Sequence, residues 1–137
     1  MPFPYPADKQ KADEFLYEFF LSTKTDPKMF DVWKNLNKRI GVQMTDLDLG
    51  YSIDCTSGTD VVITKGFPAD PQIGLKLTSE VFHNLYSGRL NAIWAFSSRK
   101  VKVTGSFNMG RLMKLTSLQP SAIKLYRDFL RSKGLPE

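Results

Sequence analysis

One cysteine and one histidine are all that the 137 residues contain. Cys55 alone excludes an internal disulfide and any multi-cysteine metal site, and it fits a reducing compartment. His83 alone excludes a two-histidine metal site or a histidine relay within one chain. Long apolar runs are missing too, since none approaches the ~18 residues that span a bilayer. The opening MPFPYPADKQKADEF lacks a basic segment followed by an apolar one, so it is not read as a secretory signal. No phosphate-cradling glycine loop, nucleophile elbow or zinc spacing is found, and GSFNMG has no lysine behind its second glycine. These absences lead us to expect a cytoplasmic, non-enzymatic protein without metal or cofactor.

What is present reads as globular. Hydrophobic residues make up 42% and charged residues 24%, which excludes disorder and fibrous forms, and the length fits one domain, residues 1–137, around one core. A net charge of +5 favours anionic partners, although the basic residues are spread, with NKR, SRK and RSK as the densest points. Lys100, Lys102 and Thr104 share the polar side of KVKVTG, near Arg99, Arg111 and Lys114. Single-strand recognition needs aromatics on that same basic face, and here they fall on the apolar side, so no nucleic-acid partner is expected.

Residues 1–7, with three prolines, form an extended leader. A helix over 8–23 follows, with Phe15, Leu16, Phe19 and Phe20 as an aromatic-rich stripe. Asp26 as N-cap and Pro27 at the first position open a second helix, which buries Met29, Trp33, Leu36 and Ile40. The period then becomes two: VQM and DLDL, YSIDCTS, DVVITKGF, QIGLKL and KVKVTG read as five strands. Between the last two lie TSEVFHNLYSG, capped by Thr78 or Ser79 and stopped at Gly88, and RLNAIWAF. FNMGRLMKL returns to helical spacing, and an added C-terminal helix over 120–133 is stopped by Gly134. Alternating strands belong to a sheet buried on one face. The expected class is therefore α+β: a five-stranded, mostly antiparallel sheet covered on one face by helices.

Candidates for chemistry are few. Cys55 falls on the inward side of its strand and reads as a small apolar core residue. His83 is placed on the solvent side of its helix, opposite Phe82 and Leu85. Asp46, Asp48 and Asp54 gather near the first hairpin without calcium-loop spacing and read as solvated strand edges.

The phrases LTSEVFHNLYSGRLNAIWAF and KVKVTGSFNMGRLMKL resemble the sterol carrier protein type two family. Leu85, Gly88, Arg89 and Leu90 match its helix ending at a glycine; Ala95 and Phe96 its apolar helix. The run from Lys100 to Gly105 matches its G-K-L-K-I-x-G strand, and Met109, Lys114 and Leu115 its closing phrase. The resemblance covers about residues 26–118. This chain departs at Arg99, where the family has glycine before the strand, and at Ala92, where proline is common. Its ending, GLPE, is not a peroxisomal S-K-L-type address.

The resemblance implies an apolar tunnel between sheet and helices that holds fatty acids, acyl-CoA or sterol-like lipids, hence lipid binding or transfer. Phe82, Leu85, Trp94, Phe96, Val103, Phe107, Met109, Leu112 and Met113 are the expected tunnel wall. Transient contact with an anionic membrane surface would follow from the charge. The alternative is a non-catalytic scaffold or regulatory module whose cavity has closed, dimerising through the C-terminal helix by way of Phe129 and Leu130.

Overall fold

The computed structural model describes residues 3–105, 113, 116, 117 and 119–137. Helix α1, Lys9–Ser22, opens on Asp8, whose carboxylate accepts from the Lys11 amide at 3.1 Å. It buries Ala12, Phe15, Leu16, Phe19 and Phe20. A short 3₁₀ turn, Thr23–Thr25, closes it, with the Ser22 and Thr23 hydroxyls donating back to the Phe19 and Phe20 carbonyls at 2.6 Å. Helix α2, Pro27–Leu36, is capped by Asp26 as the spacing predicts, and Asn37 ends it with a left-handed φ of 50°. That stop corrects one expectation: Ile40 lies beyond the helix and belongs to the first strand.

The strands are β1 Arg39–Met44, β2 Leu49–Asp54, β3 Val62–Lys65, β4 Ile73–Leu77 and β5 Lys102–Gly105. They form one open sheet in the order β3-β2-β1-β4-β5, parallel only between β1 and β4. Of DLDL, read as strand, only Leu49 is in β2; Asp46, Leu47 and Asp48 lie in the turn before it, with Asp48 at a φ of 53°. One face carries the buried Ile40, Val42, Met44, Tyr51, Ile53, Ile63, Ile73 and Leu77. The opposite face is not wholly solvated. A Cβ at Gly41 would stand 2.6 Å from the Phe67 ring and one at Gly50 2.9 Å from the Phe67 Cβ, so bare backbone seats Phe67 on the sheet.

Among the described residues three further helices contribute to the cover: α3 Ser79–Tyr86, α4 Ala92–Ser97 and α5 Gln119–Ser132. Thr78 caps α3, and Asp46 reaches across to accept from the Ser79 amide at 2.9 Å and its hydroxyl at 2.6 Å. Asp46 is thus a tether for α3 rather than a solvated strand edge. Helix α5 packs on α3 and α2 and buries Ala122, Tyr126 and Leu130. Leu130 therefore belongs to the core of its own chain, while Phe129 is half-buried. Where α1, α3 and α5 meet, Phe19 lies 5.0 Å from Tyr126 and 6.0 Å from Phe82, all edge-on. Edge-to-face pairs gain energy beyond their buried area.

His83 is buried, not exposed. Ser79, Phe82, His83 and Tyr86 follow at helical spacing, so the histidine neighbours the buried stripe, and two elements distant in sequence cover it. Its Nδ1 lies 2.8 Å from the Tyr126 hydroxyl, and Phe3 of the leader sits edge-on to it at 6.4 Å. Burial, with the nearby charge of Arg89, lowers its pKa to about 4 from an ordinary 6.5. The neutral ring is the native form, so stability is complete above 6.5 and falls as pH drops towards 4. The loss is on the order of 2–3 kcal/mol for this group. Urea unfolding across that window should give a smaller decline in His83→Gln than in the wild type; equal declines would exclude the imidazole as the source.

Arg99 has a φ of 62°, the left-handed region. The glycine that the resemblance leads one to expect here would suit that backbone, and arginine is strained in it by ~1 kcal/mol. Arg99→Gly should raise the urea midpoint and Arg99→Ala should not, the comparison separating backbone strain from loss of the guanidinium.

Candidate functional site

Between the helices and the sheet lies an apolar cavity of about 90 Å³. The sheet supplies its floor through Val42, Ile53, Leu75 and Leu77, with Val101 just before β5. Phe20 of α1 with Met29 and Trp33 of α2 form one wall. Phe82, Leu85 and Tyr86 of α3, with Ala92 and Phe96 of α4, form another, and α5 closes it with Gln119 and Ala122. None of these residues is charged. The polar groups in the wall are the Trp33 indole, the Tyr86 phenol and the Gln119 amide. Burial pushes the Tyr86 pKa up to about 12, so the phenol keeps its proton at neutral pH.

Gln119 holds the two walls together. Its side-chain nitrogen donates to the Leu90 carbonyl at 2.9 Å and the Leu85 carbonyl at 3.4 Å, while its oxygen accepts from the Ala92 amide at 3.4 Å. The loop between α3 and α4 is thereby tied to the start of α5. A second tie is Arg127, whose guanidinium donates twice to the Ser87 carbonyl, at 2.7 and 3.0 Å.

Of the expected wall residues, Phe82, Leu85 and Phe96 come together around the cavity. Val103 stands opposite Leu75 in the β4–β5 register and packs against the core from the sheet's edge without lining the cavity. Trp94 and Met113 are instead exposed, at 48% and 54%, and neither lines the cavity. On α4, Ala92, Ala95 and Phe96 turn inward, which leaves Ile93 and Trp94 on the solvent side, with the Lys100 ammonium 5.6 Å from the Trp94 ring centre. Phe107, Met109 and Leu112 lie outside the described residues, as does most of FNMGRLMKL. Trp33, Tyr86, Gln119 and Ala122 were not expected in the wall. Trp33 carried a signal as part of the buried stripe of α2; Gln119, a polar residue at a helix start, carried none.

Neither lone reactive residue is set up for catalysis by its surroundings. Cys55 is fully buried, and burial pushes its thiol up to about 12, so it stays protonated at neutral pH. His83 bonds to Tyr126 rather than to a carboxylate or a nucleophile. Among the described residues, no group of three His, Cys, Asp or Glu side chains is placed to hold a metal. Nor, among them, is any helix long and apolar enough to cross a membrane.

The arrangement of an open five-stranded sheet under helices, with an apolar space between them, can be compared with known proteins. The SCP-2 sterol transfer family model matches residues 20–120. The chain belongs to the SCP-2 sterol transfer family. Its fold is similar to the solution structure of the sterol carrier protein domain 2 of Helicoverpa armigera, at 24% identity and a TM-score of 0.61, covering 88% of this chain and 92% of that one. Sterol carrier protein 2 from Yarrowia lipolytica, in its apo form, gives 22% identity and a TM-score of 0.59 over 83% and 91% of the two chains. A crystal structure of a sterol carrier protein 2 gives 10% and 0.57 over 82% and 96%. Comparison with curated protein sequences gives no match. At these identities the SCP-2 likeness establishes the fold, and the wall must be judged from its own residues.

Phe82 and Trp94 sit on opposite sides of that judgement. Phe82 is 1% exposed and meets the rings of Phe19, Phe20, Tyr86 and Tyr126. Phe82→Ala should cost ~3–5 kcal/mol in chemical denaturation, against ~0.5 kcal/mol or less for Trp94→Ala. Similar losses in the two variants would overturn the division of the wall.

Proposed function

We propose that the chain binds an apolar lipid in the cavity and carries it through water, a lipid-binding or transfer domain without catalysis. Membership of a sterol transfer family supports lipid binding in general. The observation that carries the reading for this chain is an apolar wall built by the sheet and the five helices given above, with no charged side chain among its described residues. Each methylene moved from water into such a wall gains ~0.8 kcal/mol, so a medium-length chain binds usefully without an ion pair. Phe82, Leu85 and Phe96 are the wall residues we assign to lipid contact, with Met29 and Ala122 facing them. The wall is not yet wide enough for a whole lipid: about 90 Å³ is less than the ~150 Å³ of an engineered cavity that admits benzene. Loading therefore parts the wall, and Met29, unbranched and adaptable, suits a surface that must repack. Delivery requires touching a membrane, and a net charge of +5 favours an anionic one.

That small volume also favours a second reading, a non-catalytic module whose cavity its own side chains have closed. Native mass spectrometry of gently purified protein separates the two, because a carrier retains copurified lipid and a closed module gives the bare chain mass. Ala122→Leu adds bulk inside the cavity. A carrier with this substitution should keep its melting temperature within a few degrees and bind alkyl ligands at least several-fold more weakly. A fall equivalent to the ~1–3 kcal/mol of an overpacked core, with ligand binding unaltered, would reject the cavity as the lipid site.

A further inference from the structure

A donor buried in an apolar wall chooses what it meets. Trp33, in the last turn of α2, is 5% exposed and is one of the residues that line the cavity. Its Nε1 has no acceptor among the described residues. An unpaired buried N–H costs ~1–3 kcal/mol, so native structures rarely keep one without a use. The other polar groups of the wall do not satisfy it: Gln119 is committed to the Leu85, Leu90 and Ala92 backbone. The Tyr86 phenol oxygen could accept, yet it makes no hydrogen bond to Nε1.

We propose that the cavity recognises its lipid by one neutral oxygen acceptor, a hydroxyl, ketone or ester carbonyl, taken by Trp33 Nε1, and that it discriminates against an ionised carboxylate. The inference rests on the lipid-binding reading and deepens it. A neutral oxygen completes the indole's hydrogen bond and brings no charge inside. A carboxylate would lose its hydration to a wall with no cation among its described residues and with too few free donors there to replace the water. Trp33 is thus a specificity-determining residue, and the polar end of the ligand lies at the α2 side of the cavity.

Dodecanol, dodecane and laurate, delivered from cyclodextrin, can be titrated calorimetrically into the wild type and Trp33→Phe at neutral pH. We expect the wild type to bind dodecanol at least ~10-fold more tightly than laurate. Trp33→Phe should weaken dodecanol about 5- to 10-fold, the worth of one hydrogen bond, and leave dodecane within about twofold. Laurate binding as tightly as dodecanol, or Trp33→Phe weakening dodecanol and dodecane alike or neither, would overturn this inference while leaving lipid binding intact. Failure of all three ligands to bind the wild type would overturn the lipid-binding reading, and this inference with it. The wild-type comparison of dodecanol with laurate decides the matter even where Trp33→Phe fails to fold.

Discussion

A sheet with one apolar face has to be covered, and in this chain the cover is held together by the rings of Phe19, Phe82 and Tyr126. Each comes from a different helix, α1, α3 and α5, and they meet edge-on. Helices separated by nearly a hundred residues are thereby fixed over one sheet. Polar ties finish the junction: His83 with the Tyr126 hydroxyl, Gln119 with the α3–α4 loop and Arg127 with the Ser87 carbonyl. Buried polar groups that satisfy one another fix a single arrangement, where rings alone would tolerate several.

The cavity follows from the same geometry. Rings crowd the junction of α1, α3 and α5, while the space towards α2 and α4 is bounded by Met29, Leu85 and Ala92, which do not fill it. Protein interiors are otherwise close-packed, so a void forfeits contacts around its lining. A ligand restores them, which couples binding to stability: whatever occupies the cavity stabilises the fold in proportion to its affinity. The far side of the sheet is treated differently. There Gly41 and Gly50 admit Phe67 directly onto the backbone, a close contact with no room for a guest.

Local signals in the chain were strong enough to be read directly. Asp26-Pro27, Thr78 and Gly134 mark helix ends by capping and backbone chemistry that needs no distant partner. Alternation in YSIDC and QIGLKL is equally local, and it told that the sheet is apolar on one face. Boundaries misread in the sequence were those decided by a single backbone conformation. Asn37 adopts a left-handed φ and ejects Ile40 from α2, and Asp48 does the same to the strand read in DLDL.

The sequence by itself determined the class, the five strands, the capped helix starts and the family likeness, because periodicity, caps and turn residues act within a few positions. Only the tertiary structure decided which apolar side chains line a space and which face water. Leu85 and Trp94 look alike in a periodic pattern, yet α3 turns one inward and α4 turns the other outward. Within its own helix His83 stands at the border of the stripe of Phe82 and Leu85, and the sequence reads it as facing water; Phe3 and Tyr126, from opposite ends of the chain, bury it. The pairing of a buried Trp33 N–H with an apolar cavity lay equally beyond reach, since an unpaired donor exists only once every possible partner has been placed.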